Sequence, residues 1–182
     1  NYRKEIFRGK SLASYALGTA ELMAWLHHNP LVDFQSIDKV CNPTLIGSNS
    51  KYIGIFHARK VDLYGRIAFP VGKRSITAGP GESADLFTGA EISPGGSTVF
   101  GLPSRNAKGK PNIMIGLQDL RNQFHKRESI DVVVTEYGVA NLKWRPIRER
   151  AQALIDIAHP NDREKLVEQA KNAMAMEKYD KT

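Results

Sequence analysis

Apolar positions fall into short runs broken by glycine and proline, and their spacing alternates between strand-like and helix-like along the chain. Ser11 to Leu17 is a brief apolar run closed by Gly18. Thr19 then stands where an N-cap belongs, ahead of Leu22, Met23, Trp25 and Leu26, and Asn29-Pro30 ends the helix they predict. Val32 to Asp38 alternates with period two. Tyr52 to Ala58 reads as a further strand leading into Val61-Asp62-Leu63-Tyr64-Gly65, whose glycine predicts a hairpin turn. Ser75 to Ala78 is strand-like, Gly79-Pro80-Gly81 breaks the pattern, and Ala84 to Ala90 predicts a short helix. Gly95-Gly96 precedes a run from Ser97 to Leu102, and Pro103 to Pro111 is a polar, basic loop.

In the last third, Val132-Val133-Val134 gives a continuous apolar run of strand length, which predicts a strand covered on both faces, and Glu136-Tyr137-Gly138 follows it. A helix is predicted from Pro146, with Ile147, Ala151, Leu154, Ile155 and Ala158 on one stripe, ending at His159-Pro160. A charged helix over Asp162 to Met176 and a frayed tail over residues 177–182 complete the chain. Strands and helices interleave, so the pattern predicts an α/β fold with a mixed sheet flanked by helices, in one domain over residues 1–176.

Composition narrows this picture. With 182 residues, 41% of them apolar, and a mean hydropathy of −0.38, the chain can bury a core and is neither fibrous nor disordered. No run approaches the roughly 20 apolar residues of a membrane helix, and no membrane partner is expected. Cys41 is the one cysteine, so no intrachain disulfide can form and a reducing, cytoplasmic setting is expected. Residue 1 is Asn and the first ten residues carry no signal sequence, so the chain reads as beginning within a longer protein. Lys and Arg number 26 against 19 acids, a net charge of +7 that favours an anionic partner. The basic residues are spread along the chain, with no zinc finger, aromatic RNA-binding pattern or groove-binding basic helix. Nucleic acid is therefore not the expected partner.

Gly79-Pro80-Gly81-Glu82-Ser83 is the most ligand-like segment, because glycines let backbone N–H groups approach an anion or oxyanion; a plain structural turn is the other reading. The five histidines make no H-E-x-x-H pattern and no metal site is expected. Cys41 reads as a small buried residue rather than a nucleophile. Glu136 follows a strand, where open α/β sheets place their ligand crevices; equally, its carboxylate could accept bonds from a neighbouring backbone or arginine. Arg105, Lys108 and Lys110 sit on a loop from which they could reach phosphates or simply face solvent. Arg145, Arg148 and Arg150 crowd a helix start and read as a solvated face.

The segment Val133-Val134-Thr135-Glu136-Tyr137-Gly138-Val139-Ala140-Asn141-Leu142, then Ile147-Arg148-Glu149-Arg150-Ala151, then Ile157-Ala158-His159-Pro160, resembles the C-terminal domain of the acetyl-CoA hydrolase/transferase family, which includes acetate and 4-hydroxybutyrate CoA-transferases. Gly18-Thr19 with Leu22 and Asn29-Pro30, Val61-Asp62-Leu63 with Gly65, and Leu102-Pro103-Ser104 with Ala107-Lys108-Gly109 extend the likeness. The resemblance implies a CoA-transferase-like (NagB/RpiA-like) α/β fold, of which this chain is the second half, with the N-terminal half absent. It implies coenzyme A as a substrate, acyl-CoA and a small carboxylate as partners, and no metal; self-association into a homo-oligomer is left open. The family's nucleophilic glutamate lies in a His-Thr-Glu-Met-like segment expected before Asn1, so no catalytic residue is assigned within this chain and the chain alone is expected to be inactive. Gly79, Gly81, Glu82 and Ser83 become the oxyanion or acyl-site loop, Arg105, Lys108 and Lys110 the CoA-binding set, and Cys41 and Glu136 site-lining residues. The loop departs from the family pattern, since Glu82 and Ser83 replace Gly and Gln. Lys60 replaces the glutamate expected before Val61, and Arg66 replaces Gln after the turn glycine. These changes keep a second expectation open, a non-catalytic CoA-binding or partner-binding module with a degenerate site loop.

Overall fold

The computed structural model describes residues 3–69, 82–117, 123–124 and 130–179, with side chains given except at 123–124 and 174–179. The chain divides into two compact units: Asn1–Gly54 with Glu82–Ser97, and Ile55–Gly81 with Thr98–Thr182.

The first unit opens with β1 (Ser11–Ala13), α1 (Ala20–Leu26) and β2 (Val32–Phe34). β1 and β2 pair in parallel, Ser11 opposite Val32 and Ala13 opposite Phe34. Thr19 caps α1 as its sequence position predicts, accepting a bond from the Leu22 N–H at 3.3 Å. The alternation expected over Val32 to Asp38 stops at Phe34. Ser36 then takes the extended N-cap conformation and Ile37–Val40 forms a single helical turn, α2. In α3 (Pro43–Gly47), Asn42 caps the helix by accepting from the N–H groups of Thr44 and Leu45, and Pro43 fills the first turn, where its missing N–H costs nothing. α4 (Ser83–Ile92) packs on α3 through glycines, with Gly47 against Ile92 and Gly89 against Ile46. The buried set here is small: Cys41, Ile46, Phe87 and Ala90, with Ser93.

β3 (Ile53–His57) and β6 (Ser97–Gly101) run from the first unit into the second. The second unit holds two four-stranded sheets. One has the order β10-β9-β6-β3, with β9 (Val132–Thr135) parallel to β6 and antiparallel to β10 (Gly138–Asn141). The other has the order β7-β4-β5-β8, with β4 (Lys60–Asp62), β5 (Ile67–Ala68), β7 (Ile113–Met114) and β8 (Gln123–Phe124). Parallel and antiparallel neighbours coexist in both sheets, so the sheets are mixed. β9 alternates half-buried and buried residues instead of being covered along its whole length: Val133 and Thr135 are buried, while Val132 and Val134 are half-buried. α5 (Ile147–Asp156) packs on β10 and α6 (Pro160–Tyr179) on α5. Ala151, Leu154, Ile155 and Ala158 are buried as the stripe requires, whereas Ile147, in the first turn, is 45% exposed. α6 continues to Tyr179, three residues beyond Met176.

The core of this unit gathers Phe100, Val133, Val61, Ile67, Ile113 and Leu154, and Phe56 stacks on Phe100 at 5.4 Å between ring centroids. The β4–β5 hairpin is held closed by a buried charge. The Asp62 side chain, fully buried, accepts from the N–H groups of Tyr64 and Arg66 and from Arg66 Nε at 2.6 Å, while Gly65 supplies the left-handed turn position at φ 82°. A buried carboxylate needs such partners, and Arg66 supplies the countercharge that glutamine could not.

Candidate functional site

Two sets of polar side chains stand out, one in each unit. In the first unit, α2, the start of α3 and the start of α4 enclose a cleft of about 280 Å³ lined by Asp38, Cys41, Asn42, Glu82 and Asp85 among others. Gly79 and Gly81 lie outside the described residues. Glu82 occupies the N-cap of α4 without capping it through its side chain, and Ser83 opens the helix half-buried. Cys41 is buried at the wall of the cleft, and its thiol pKa is pushed up, first by burial and then by the Glu82 and Asp85 carboxylates. A thiol held in this way stays protonated at neutral pH and is a poor nucleophile. Burial, then the neighbouring Cys41, also pushes the Tyr52 phenol up. The cleft is therefore acidic and holds its one sulfur as a neutral thiol.

In the second unit, the carboxyl end of β9 meets the loop that follows β6. Glu136 is exposed, but its carboxylate is engaged: Ser104 N–H donates to Oε2 at 2.9 Å and Ser104 Oγ–H to Oε1 at 2.6 Å. The hydroxyl bond is the main reason its pKa is held below the usual carboxylate range, with the Ser104 backbone bond and His159 adding to it against a cost of burial. Ser104 also accepts, through its carbonyl, from Asn112 N–H, and Asn112 Nδ2 donates to Pro103 O. Next along the loop, Arg105 grips Asp162 at the start of α6 through two bonds, Nε to Oδ2 at 2.8 Å and an Nη to Oδ1 at 2.7 Å. That bond holds the Asp162 carboxyl below its ordinary value.

Between these anchors the chain makes a tight turn. Asn106 Oδ1 accepts from the N–H groups of both Lys108 and Lys110, Asn106 N–H donates to Lys110 O, and Gly109 takes φ 70°. Lys108 and Lys110 are exposed on this turn. Lys60 of β4 stands beside them: Nζ donates to Pro111 O at 3.1 Å, and its pKa is pushed down by burial, then by the charges of Arg59 and Lys110. Close by, Tyr137 lies edge-on to His159 and below Arg163.

The structure thus brings Cys41 and Glu82 to one cleft and joins Glu136 to the loop of Arg105, Lys108 and Lys110. Three residues that the sequence did not single out for this loop are Ser104, Asp162 and Lys60. Ser104 and Asp162 gave no local signal, since their partners lie 32 and 57 positions away. Lys60 was visible as a departure from the family pattern, but nothing linked it to Lys110. Among the described residues no group of His, Cys, Asp and Glu could hold a metal ion, and no helix is long and apolar enough to cross a membrane.

Mixed sheets flanked by helices are the fold of solved CoA-transferases. A 4-hydroxybutyrate CoA-transferase from Porphyromonas gingivalis superposes with a TM-score of 0.76 at 32% identity, covering 93% of this chain and 39% of that one. RipA from Yersinia pestis superposes with a TM-score of 0.81 at 30% identity, covering 96% of this chain and 38% of that one. Residues 18–170 match the acetyl-CoA hydrolase/transferase C-terminal domain, and the chain belongs to that family. Among curated relatives, the 4-hydroxybutyrate coenzyme A transferase of Clostridium kluyveri is 38% identical over 173 residues, 94% of this chain. The succinyl-CoA:cyclohexane-1-carboxylate CoA transferase of Geobacter metallireducens is 34% identical over 172 residues. The chain spans 40% and 39% of the lengths of these two relatives.

Proposed function

We propose that this chain is the C-terminal domain, residues 1–176, of a longer cytoplasmic acyl-CoA:carboxylate CoA-transferase or acyl-CoA hydrolase of acetate metabolism, whose nucleophilic glutamate comes from the preceding polypeptide. The observation that carries this reading is the family match over residues 18–170 together with relatives named as CoA-transferases. In the first step the glutamate carboxylate attacks the acyl-CoA carbonyl and expels CoA thiolate, leaving an acyl-glutamyl anhydride. The thiolate then attacks the glutamyl carbonyl, releases the acyl group as carboxylate and forms a glutamyl-CoA thioester, which an acceptor carboxylate opens by the reverse sequence. Splitting one exchange into two, with N–H donors on each oxyanion, is the logic of covalent catalysis. In a hydrolase, water takes the acceptor's place.

Within this chain, the segment from Gly79 to Ser83 lines the acyl site and the turn carrying Lys108 and Lys110 receives the CoA phosphates. The anchored geometry supports that role for the turn, because two exposed ammonium groups are held on a backbone already fixed by Asn106, with Arg105 and Glu136 serving as its anchors. The test is a polypeptide of the relatives' length carrying this chain, assayed for CoA exchange between short acyl-CoA donors and acetate, butyrate or 4-hydroxybutyrate. Exchange or hydrolysis is expected, and Lys108→Ala and Lys110→Ala should each raise KM for acyl-CoA about fivefold, about 1 kcal/mol, with kcat kept. No turnover with any donor overturns the reading.

The acidic cleft supports one alternative. Glu82, which stands where the family loop has glycine, opposes the build-up of negative charge on an oxyanion in this cleft, as a degenerate site in a non-catalytic CoA-binding or partner-binding module would. Tight CoA binding by calorimetry without exchange would select that alternative.

A further inference from the structure

From Ser11 through Val40 no residue is buried, although this stretch holds two strands and two helices. Backbone bonds and caps hold its elements, but the arm has no buried core of its own. α1 is seven residues long, well short of the roughly 12–15 at which an isolated helix becomes even marginal in water. β1 and β2 are three residues each and make a two-stranded parallel sheet, an arrangement marginal when alone and found almost only where both faces are covered. The side chains say the same. Leu17 is 84% exposed and Trp25 56%, and Tyr15, Met23, Leu31 and Phe34 are exposed with them. On its inner side the arm meets the rest of its unit across an open cleft of about 400 Å³ lined by Leu12, Lys39, Val40, Leu45 and Tyr52 among others.

We propose that this arm is the docking surface for the polypeptide that precedes Asn1 in a protein of the relatives' length, which covers the apolar side chains of α1 and extends the β1–β2 sheet. Two observations choose that occupant over a second copy. The matched family is a C-terminal domain and the relatives carry the greater part of their length outside it, so the covering polypeptide is available in the same molecule. It would also arrive at the arm itself, since β1 is the first element of the chain, and consecutive elements are spatial neighbours roughly two-thirds of the time. The open backbone edges of a two-stranded sheet are the natural place for it to pair. The proposal rests on the chain being part of a longer polypeptide but not on its chemistry.

Hydroxyl-radical footprinting of that longer polypeptide tests it, because Tyr15, Met23 and Trp25 are all oxidisable. Modification rates in the folded protein should fall at least fivefold below those of the urea-unfolded protein at all three residues, unchanged on dilution to the monomer. Protection under fivefold overturns the proposal, and so does protection that dilution removes, which would make the occupant a second copy. As an independent reading, Leu17→Glu and Trp25→Glu should each lower the Tm of the longer polypeptide by 5 °C or more, and unchanged melting overturns the proposal. Protection without CoA exchange would leave the docking surface standing while the enzymatic reading falls.

Discussion

At the scale of single residues, two ionisable groups have environments that make opposite predictions. Cys41 is buried and has the Glu82 and Asp85 carboxylates beside it, so its reaction with iodoacetamide at pH 8 should be at least tenfold slower than that of a free thiol. Glu82→Gln with Asp85→Asn should speed it by removing two causes of the raised pKa, and a rate equal to that of free cysteine would contradict the geometry. Glu136 is the reverse case. Its pKa is lowered in the fold, so its bonds to Ser104 stabilise the protein fully above the ordinary glutamate value of about 4.3, and that contribution is lost as pH falls through the lower folded value. The carboxylate is exposed, so solvent screening limits the effect to about 1 kcal/mol or less. Ser104→Ala should move the Glu136 midpoint upward toward the ordinary value in a carboxyl-detected NMR titration; an unmoved midpoint would show the hydroxyl bond to be absent in solution. Sequence alone left Glu136 between a strand-end functional carboxylate and one that accepts bonds from its neighbours. The structure supplies those bonds from Ser104, a residue no pattern could pair with it at a distance of 32 positions.

At the scale of elements, the contact between α3 and α4 depends on absent side chains. A Cβ on Gly89 would overlap Ile46 Cγ2, and one on Gly47 would overlap Ile92 Cγ2. Gly89→Ala should therefore cost about 1–3 kcal/mol despite its better helix propensity, read as a lower urea midpoint with an unchanged slope. A neutral or stabilising result would mean that the helices are free to separate. Elements with strong local signals were legible in advance: Thr19 ahead of α1, Gly65 in the β4–β5 turn and, apart from the exposed Ile147, the buried stripe of α5 stand where pattern and capping rules put them. Others were not. Val32 to Asp38 looked like one strand because alternation over seven residues outweighed Ser36, whose cap conformation turns the chain into α2. β10 went unread because Gly138 to Asn141 is short and carries one buried side chain, Ala140; pairing with β9 makes it a strand. The charge of the basic loop was legible but its fixed turn was not, since that turn is made by Asn106 accepting two backbone bonds and by anchors distant in sequence.

At the scale of the whole molecule, the family and the mixed α/β class followed from ordered motifs, but the division into two units did not, because it depends on contacts rather than on any composition shift. That division has a consequence for how the protein is made. The first unit is assembled from residues 1–54 and 82–97, and the second begins at residue 55. On a ribosome adding about 5–20 residues per second, Cys41 and Ile46 must wait roughly 2–9 s for Phe87 and Ala90 to emerge and close their small core. During that interval the strands from Ile53 to Ala68 emerge ahead of their later partners β6, β7 and β8, and only β4 and β5 can pair with each other. Vectorial synthesis therefore presents the open edges of these strands before the later partners can cover them, which makes residues 53–68 the stretch of this chain best suited to shielding by a chaperone.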